Sequence, residues 1–318
     1  MNNPKISIIT PVKNAEKWIR ECAQSILRQS YMEWEWIIVN DHSSDKTGQI
    51  IESFPDSRIS LIENDGSGII ESLVTGYKHC SGQFITRMDA DDVLSPNRLK
   101  VMSEALNKAP KHTLVTGLVR YFSDKPISEG YKTYENWLNK INLSGNQWQN
   151  IYRECVVASP NWMIRRNDLD DIQGFNKLEY PEDYDLTFRW YKHGFKITTI
   201  PEVTLEWREH NERTSRVSLH YQQKAFFDLK IKRFLEIDHN GQPIVIWGRN
   251  IKSKLTSDIL TEKGVPFIIQ DTSDYQSLED FTNSQLLVAV YPSENQRTSI
   301  ENFLSSINRI EGANWWYL

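Results

Sequence analysis

The chain has 318 residues, of which 39% are hydrophobic and 25% are charged, and its formal net charge is −5. This composition allows a buried core and excludes wholesale disorder, and the length fits one large domain or two unequal ones. The negative charge argues against nucleic-acid binding, because neutralising phosphates requires an excess of Lys and Arg. A small anionic ligand is still compatible, since one Arg and one metal ion can hold a diphosphate.

The three cysteines, Cys22, Cys80 and Cys155, include no C-x-x-C pair. An odd and sparse set fits a reducing compartment better than a disulfide scaffold. No secretory signal pattern is visible. A membrane-spanning helix needs about 20 consecutive apolar residues, and no stretch of the sequence approaches that length. We therefore expect a cytoplasmic protein, with peripheral contact at the inner face of the membrane and homo-oligomer formation left open.

Short β-branched runs alternate with helical patterns in the first part of the chain. Strands are predicted at residues 6–10, 36–39, 58–62 and 83–88, and helices at 15–29, 47–54, 69–79 and 95–108. This repetition predicts an α/β fold with a mixed, mostly parallel sheet and helices on both faces. Right-handed crossovers bring the loops after parallel strands to one edge of a sheet, where ligands bind.

The second part of the chain predicts a smaller unit. A strand is expected at residues 113–122 and a helix at 219–236, whereas the polar and aromatic stretch 124–155 gives no firm assignment. After Gly241 the pattern predicts three strands and two helices, at 243–247, 265–270 and 285–291, and at 251–263 and 293–308. We place the boundary between a large domain, 1–238, and a small Rossmann-like α/β domain, 239–318. The apolar tail Trp315–Leu318 is expected to pack back onto the protein.

Three carboxylates follow the predicted strand 83–88. Residues two apart in an extended backbone project to the same side, so Asp89 and Asp91 can converge on one cation, or one of them on a ribose. Mn²⁺ and Mg²⁺ prefer a few carboxylates together with substrate phosphate oxygens. The alternative is that these acids, Asp92 above all, only solvate a loop before the next helix.

Two more loops follow predicted strands. Asp41 stands at the end of strand 36–39, where its carboxylate can accept an N–H from the edge of a base. The loop Thr10-Pro11-Val-Lys-Asn-Ala-Glu16 follows the first strand and is weak evidence alone, because Thr-Pro is common turn chemistry.

Together, the three loops resemble family 2 glycosyltransferases of the GT-A fold. The matching segments are Ile8-Ile-Thr-Pro-Val-Lys-Asn, Ile37-Ile-Val-Asn-Asp-His-Ser-Ser-Asp and Arg87-Met-Asp-Ala-Asp-Asp, in the order and spacing of that family. The resemblance covers roughly residues 5–235. It implies that Thr10, Pro11, Glu16 and Asp41 line the base and ribose site of a nucleotide sugar, that Arg87 lies near the diphosphate, and that Asp89 and Asp91 form the metal-binding D-x-D for Mn²⁺ or Mg²⁺. One departure is Asn40, where the family usually has an acid, which leaves the base open.

The resemblance extends to three downstream segments. In Glu182-Asp183 the family's general base is most often the Asp, so Asp183 is implied as the base with Glu182 beside it. Trp162 lies on the acceptor-side strand and would stack on a sugar, although core packing explains it equally well. His210 lies in the closing loop, where it is a candidate metal ligand, and Arg213 is a further candidate near the diphosphate.

The resemblance therefore implies an inverting glycosyltransferase that moves a sugar from a nucleoside-diphosphate sugar, expected to be a UDP-sugar, to a hydroxyl of a glycan or lipid-linked acceptor in cell-surface polysaccharide or glycan synthesis. A non-catalytic nucleotide-sugar-binding protein would keep Asp41, Asp89 and Asp91 but tolerate loss of Asp183. A nucleotidyltransferase is disfavoured, because residues 10–16 contain no Gly and a single Lys.

A dinucleotide-binding role for the C-terminal unit is also disfavoured. Gly248 follows its first strand, but the other two glycines of a dinucleotide fingerprint are missing, and Asn250 and Lys252 stand in that loop. We therefore favour a structural or assembly role for this unit over a Rossmann oxidoreductase.

Overall fold

The computed structural model of the chain describes residues 5–271, 278, 281 and 283–318. The chain divides into two compact units. The first comprises the chain up to Gly145 together with Val157–Arg213, and the second comprises Asn146–Val156 together with Thr214–Leu318. The predicted domain boundary after residue 238 therefore lies within the second compact unit, which takes in residues 214–238 as well.

The first unit is built on one eight-stranded sheet. Its strands are β1 (Ile6–Val12), β2 (Trp34–Asn40), β3 (Ile59–Glu63), β4 (Phe84–Arg87), β5 (Val93–Leu94), β6 (Thr113–Phe122), β7 (Trp162–Arg165) and β8 (Lys196–Arg208). Its helices are α1 (Ile19–Leu27), α2 (Thr47–Glu52), α3 (Ile69–His79), α4 (Arg98–Lys108), α5 (Glu129–Ser144), α6 (Arg166–Asp171) and α7 (Glu182–Lys192).

The strand order is β3-β2-β1-β4-β7-β6-β8-β5. The pairs β1/β2, β2/β3, β1/β4 and β6/β8 are parallel, while β7 runs antiparallel to β4 and β6, and β5 antiparallel to β8. The prediction of a mixed, mostly parallel sheet is confirmed. Because β1, β2 and β4 are parallel neighbours, the loops after them meet at one edge.

The central strand β1 is buried on both faces. Its residues alternate in direction, yet Ile6, Ser7, Ile8, Ile9 and Thr10 are all fully buried. This is the burial pattern of an inner strand of a parallel sheet covered on both faces. The Ser7 hydroxyl, which is polar and buried, is satisfied by a 2.6 Å hydrogen bond that it donates to Glu35.

The stretch that gave no firm assignment from sequence contains α5, which packs on β6. This helix ends at Gly145, whose φ of +72° lies in the left-handed region that favours glycine. In the described part of the chain, no helix is long and apolar enough to span a membrane.

The second unit contains a four-stranded, fully parallel sheet in the order β10-β9-β11-β12. Its strands are β9 (Ile244–Trp247), β10 (Phe267–Gln270), β11 (Gln285–Val288) and β12 (Trp315–Tyr317), and its helices are α8 (Thr214–Val217), α9 (Gln223–Ile237), α10 (Ile251–Glu262) and α11 (Glu294–Ser306). The prediction of three strands is wrong, because the apolar tail adds β12. Packing of the tail onto the protein is confirmed.

The tail forms part of the core of the second unit. Trp316 is 1% exposed and packs edge to face on Tyr152 and Phe234, with ring centroids 6.3 and 5.0 Å away. In the loop after β9, a Cβ on Gly248 would lie 2.3 Å from the carbonyl oxygen of Ala289, and Asn250 donates to that same oxygen. The backbone at Gly248 thus packs against Ala289 too closely to admit a side chain.

Candidate active site

The sheet brings three polar loops together within the first unit. In the register of the parallel strands, Val12 of β1 is opposite Asn40 of β2, and Ile9 of β1 is opposite Arg87 of β4. The residues that follow, including Asp41 and Asp89, therefore emerge at the same edge. The loops after these strands thus meet at one edge of the sheet, which is where the sequence predicts a site.

Asp41 is buried and held by three donors. Its Oδ1 accepts hydrogen bonds from the Asn64 side chain at 2.8 Å and the Gly68 backbone N–H at 3.0 Å, and its Oδ2 accepts one from Lys13 Nζ at 3.1 Å. Although burial alone would raise the pKa of Asp41, these three donors lower it below its ordinary value. Asp41 is thus kept as an ionised acceptor at the end of β2.

The loop after β1 is tied to the loop after β2. Glu16 accepts a hydrogen bond from the Lys46 backbone N–H at 3.0 Å, and the Glu16 backbone N–H donates to Asp45 at 3.0 Å. Thr10 is fully buried and accepts a 2.8 Å hydrogen bond from the Trp36 indole, while Pro11 is half-buried. Burial of the Thr10 side chain favours a supporting role over direct contact with a ligand.

Asn40, the departure from the family pattern, is buried and makes two hydrogen bonds. It donates to Glu63 at 2.8 Å and accepts from the Ser43 backbone N–H at 3.1 Å. Its amide therefore holds the turn after β2, which explains why an uncharged side chain fits there.

Arg87 joins two acidic segments that are distant in the sequence. Its Nε donates to Asp89 Oδ1 and its Nη1 donates to Glu182 Oε1, each at 2.8 Å. Because Arg87 is only 6% exposed, these charge-assisted bonds are shielded from water. The loop after β4 and the start of α7 are thereby fixed side by side.

Asp183 and Glu182 lie in different environments. Glu182 is 1% exposed and paired with Arg87, whereas Asp183 is only partly buried and accepts the Tyr184 backbone N–H. Burial and the neighbouring Glu182 charge raise the pKa of Asp183 to about 7, against the opposing effect of Arg87. A carboxyl with a pKa near neutrality, open to an incoming group, is suited to accept a proton.

Asp91 and His210, which are two of the predicted metal ligands, are paired with each other. The distance between His210 Nε2 and Asp91 Oδ2 is 2.8 Å, and the imidazole stacks on Trp18 with ring centroids 3.9 Å apart. His210 Nδ1 accepts the Glu212 backbone N–H, so in a neutral ring Nε2 carries the proton and donates it to Asp91. Binding of a metal through Nε2 would require this arrangement to change.

The third acid of the loop, Asp92, is buried. Its Oδ1 accepts the Arg208 backbone N–H at 2.8 Å, while its Oδ2 has no hydrogen-bond partner among the described residues. Burial and the charges of Asp91 and Asp89 raise the pKa of Asp92 well above its ordinary value. Acids that repel one another, with an orphaned buried oxygen among them, fit the demand of a divalent cation for oxygen ligands.

A second group of candidate ligands lies elsewhere. Among residues 5–271, 278, 281 and 283–318, the group of three His and acid side chains whose ligand atoms all lie within 4.8 Å of one another is His112, Asp168 and Asp171. His112 precedes β6, whereas Arg208 pairs with Phe122 at the other end of that strand. The length of β6 therefore puts roughly 30 Å between His112 and the Phe122–Arg208 pair.

Two other predicted residues have clear surroundings. Trp162 is 2% exposed and packs edge to face on Trp190 with ring centroids 5.4 Å apart, which favours the core-packing alternative over a sugar contact. Arg213 pairs with Glu209 at 3.2 Å and lies over the Trp207 ring.

Several contacts were not predicted from the sequence. Arg208 and Asn64 contact acids of the site, while Glu21 and Trp18 contact Arg208 and His210. Arg208 belongs to the closing loop that resembles the family, and the other three lie outside the segments that do. The only signal available to sequence reasoning was that Arg208 is two residues from His210 in a strand-like segment.

Comparison with known proteins identifies a family. The sequence profile described as glycosyl transferase family 2 matches residues 7–173. An uncharacterised glycosyltransferase of Haemophilus influenzae is 27% identical over 97% of this chain and 99% of its own length. The putative colanic acid biosynthesis glycosyl transferase WcaA of Escherichia coli is 28% identical over 73% of this chain and 90% of its own length.

Solved structures share the fold. S. aureus TarS residues 1–349, in complex with UDP-GlcNAc, superposes with a TM-score of 0.57 at 16% identity, covering 95% of this chain and 80% of that one. The mannosyltransferase PcManGT of Pyrobaculum calidifontis, in complex with GDP-Man and Mn²⁺, has a TM-score of 0.56 at 18% identity, covering 82% and 70% of the two chains. The predicted glycosyltransferase fold is confirmed.

Proposed function

The chain belongs to glycosyl transferase family 2 and is a glycosyltransferase, and on that premise we propose that it moves a sugar from a UDP-sugar to an acceptor hydroxyl with inversion at the anomeric carbon. The observation that carries this proposal is the Arg87 bridge, with 2.8 Å contacts to both Asp89 and Glu182. It sets the partly buried Asp183 beside the acids that would hold the donor.

Asp183 is proposed as the general base. In its ionised form it would take the proton from the acceptor hydroxyl as the oxygen attacks the anomeric carbon. The bond to the diphosphate breaks as the new glycosidic bond forms, so one displacement inverts the anomeric centre. Glu182 is proposed to position rather than to react, because it is buried and already paired with Arg87.

Asp89, Asp91 and, after rearrangement, His210 are proposed to hold Mn²⁺ or Mg²⁺. When bound, the cation would neutralise charge on the leaving diphosphate. The orphaned Asp92 oxygen and the mutual repulsion of the loop acids support this assignment. The Mn²⁺ named with the similar mannosyltransferase structure supports it further. Arg87 is proposed to add positive charge near the same diphosphate.

Asp41 is proposed to bind the base. An ionised carboxylate accepts the N3–H of uracil, and the Lys13, Asn64 and Gly68 donors keep Asp41 ionised. The UDP-GlcNAc named with the similar TarS structure supports uridine, whereas the GDP-Man named with the mannosyltransferase makes guanosine the competing base.

The acceptor is proposed to be a glycan or lipid-linked glycan of a cell-surface polysaccharide. The colanic acid biosynthesis role named for the similar E. coli protein supports this class. A cytoplasmic location is supported by the three cysteines, all of which are free thiols.

The test is calorimetric titration of the protein with UDP and with GDP, each with and without Mn²⁺. We expect UDP to bind tightly only with Mn²⁺, and Asp91→Ala to remove that metal dependence. Asp171→Ala is the matched control, because it removes an acid from the His112 group and should leave binding unchanged. If instead Asp171→Ala loses the metal dependence and Asp91→Ala keeps it, the metal site is assigned to the wrong acids.

A second measurement separates transfer from mere binding. Asp183→Asn keeps the shape of the side chain but cannot accept a proton. It should bind UDP as the wild type does and lose hydrolysis of the UDP-sugar. Turnover equal to that of the wild type would exclude Asp183 as the base.

A further inference from the structure

Arg208 lies at the end of β8 and makes contacts with three neighbouring segments. Its Nε donates to the Asp91 backbone carbonyl at 2.7 Å, and its Nη2 donates to Glu21 on α1. Its guanidinium carbon lies 4.3 Å from the centre of the Phe122 ring, at the end of β6. Its side chain is only 8% exposed.

Arg208 and His210 contact Asp91 from two directions. Arg208 holds the backbone of Asp91 through the carbonyl, and His210 holds its carboxyl through Oδ2 at 2.8 Å. The Arg208 backbone N–H also fixes the next acid, Asp92, at 2.8 Å. One short stretch of chain therefore determines where the carboxyl of Asp91 points.

The charge of Arg208 matters as well as its hydrogen bonds. Asp89, Asp91, Asp92 and Glu21 crowd the same region, and Arg208 places one permanent positive charge behind the loop. Stacking on Phe122 fixes the plane of the guanidinium. Arginine is required because its planar fork reaches the Asp91 carbonyl and Glu21 together, whereas the single ammonium of lysine cannot span both.

We infer that Arg208 is a positioning residue that orients Asp91 for the divalent cation. This inference rests on the proposed function, in which Asp91 is a metal ligand. Residues that orient a ligand from outside the coordination shell change metal affinity by about 10- to 100-fold when they are mutated. Arg208 is expected to act in that way, without touching the donor or the cation.

The test is the Mn²⁺ dependence of UDP binding, measured by calorimetry at a series of Mn²⁺ concentrations. Arg208→Lys keeps the charge but loses the fork, so we expect the Mn²⁺ concentration for half-maximal effect to rise about tenfold or more. Hydrolysis of the UDP-sugar at saturating Mn²⁺ should recover most of the wild-type rate. Glu21→Gln removes the negative charge that pairs with the guanidinium but keeps an acceptor oxygen, so it should give a smaller shift in the same direction.

Arg120→Lys is the matched control. Arg120 lies on β6, its side chain is exposed, and it pairs with Glu206 of β8 and not with an acid of the loop after β4. Its substitution should leave the Mn²⁺ dependence unchanged. Thermal unfolding of each variant is recorded alongside, because a purely structural role would lower the unfolding temperature alone.

The inference is overturned if Arg208→Lys and Glu21→Gln are less stable than the wild type but show its Mn²⁺ dependence. Glu21→Gln decides the question by itself if Arg208→Lys does not fold. If UDP binding to the wild-type protein does not depend on Mn²⁺, the proposed metal site itself is wrong, and the inference fails with it. This outcome is distinct from the first, in which the wild type depends on Mn²⁺ and the variants do not differ from it.

Discussion

Asp183 is kept in an environment that disfavours its charged form. Burial and the neighbouring Glu182 raise its pKa to about 7, whereas an aspartate in an unfolded chain has a pKa of about 3.9. The folded protein therefore holds a proton on Asp183 over a pH range in which the unfolded chain releases it. Such a group stabilises the fold when protonated, and this contribution is lost as the pH rises through the folded pKa.

Replacing Asp183 by Asn should therefore change stability in a pH-dependent way. Asn stays neutral, so the gain in unfolding temperature of Asp183→Asn over the wild type should grow from pH 5 to about pH 7 and then level off. Thermal unfolding in EDTA measures this without interference from bound metal. Asp65→Asn, at an exposed acid, should show no such trend. A difference that is constant with pH would show that Asp183 is not perturbed.

Residues of the site differ in how far the sequence could predict them. Asp41 and Asp89 were predictable, because each follows a strand and parallel strands end at one edge. The contact of Arg208 with Glu21 was not, because it joins positions 187 residues apart and periodicity carries no information at that distance. Trp162 shows a third case, since its residue type fits a sugar platform and a core equally, and only burial separates the two.

At the scale of elements, α3 connects the core to Asp41, the residue proposed to bind the base. Gly76 of α3 lies so close to the sheet that a Cβ there would be 2.7 Å from Ile9 Cγ2 and 3.0 Å from Val39 Cγ2. Gly68, at the start of the same helix, donates its backbone N–H to Asp41. The distance between α3 and the sheet therefore sets the position of a donor to Asp41.

Gly76→Ala should destabilise the protein by about 1–3 kcal/mol, because the added methyl group overpacks the interface with β1 and β2. We also expect weaker UDP binding, since α3 must shift. Gly130→Ala is the control. Gly130 is exposed on α5, and the atom nearest to a Cβ added there, Ser128 Oγ, would be 3.9 Å away. Alanine at this position should stabilise the helix. Urea denaturation and calorimetry provide the two measurements. Equal stability of both variants would contradict the close packing.

Elements were predictable where the pattern is regular. The strand at 113–122 and the helix at 69–79 were predicted with the bounds that the structure has, since each shows one clear periodicity. The helix α5 was not predicted, because its segment is rich in polar and aromatic residues and only Leu138, Ile141 and Asn142 of its residues are buried. The strand β12 has only three residues and pairs with β11, from which α11 separates it in the chain. No local pattern in the sequence reveals this pairing.

At the scale of the whole molecule, the candidate site and the tail belong to different units. Every predicted site residue, from Thr10 to His210, lies in the first unit. Trp316 packs on Tyr152 and Phe234 in the second. The second unit can therefore be weakened without direct damage to the site.

Trp316→Ala should cost the second unit about 3–5 kcal/mol, which is typical of deleting a large buried aromatic side chain. UDP binding in the presence of Mn²⁺ should remain, because the residues proposed to bind the base and the metal are unchanged. Thermal unfolding and UDP calorimetry test the two statements together. Loss of UDP binding by a variant that is still folded would assign the second unit a direct part in the donor site.

The path of the chain between the units affects how the protein is made. Residues 146–156 belong to the second unit, yet the chain returns to the first unit before it completes the second. Tyr152 leaves the ribosome 164 positions ahead of Trp316, a delay on the order of 10–30 s at ordinary elongation rates. The nascent chain must carry this segment without its final partners, and a fragment that starts at residue 239 would never receive it. No single boundary in the sequence therefore separates the two units, and one unit cannot be transferred to another protein as a continuous segment.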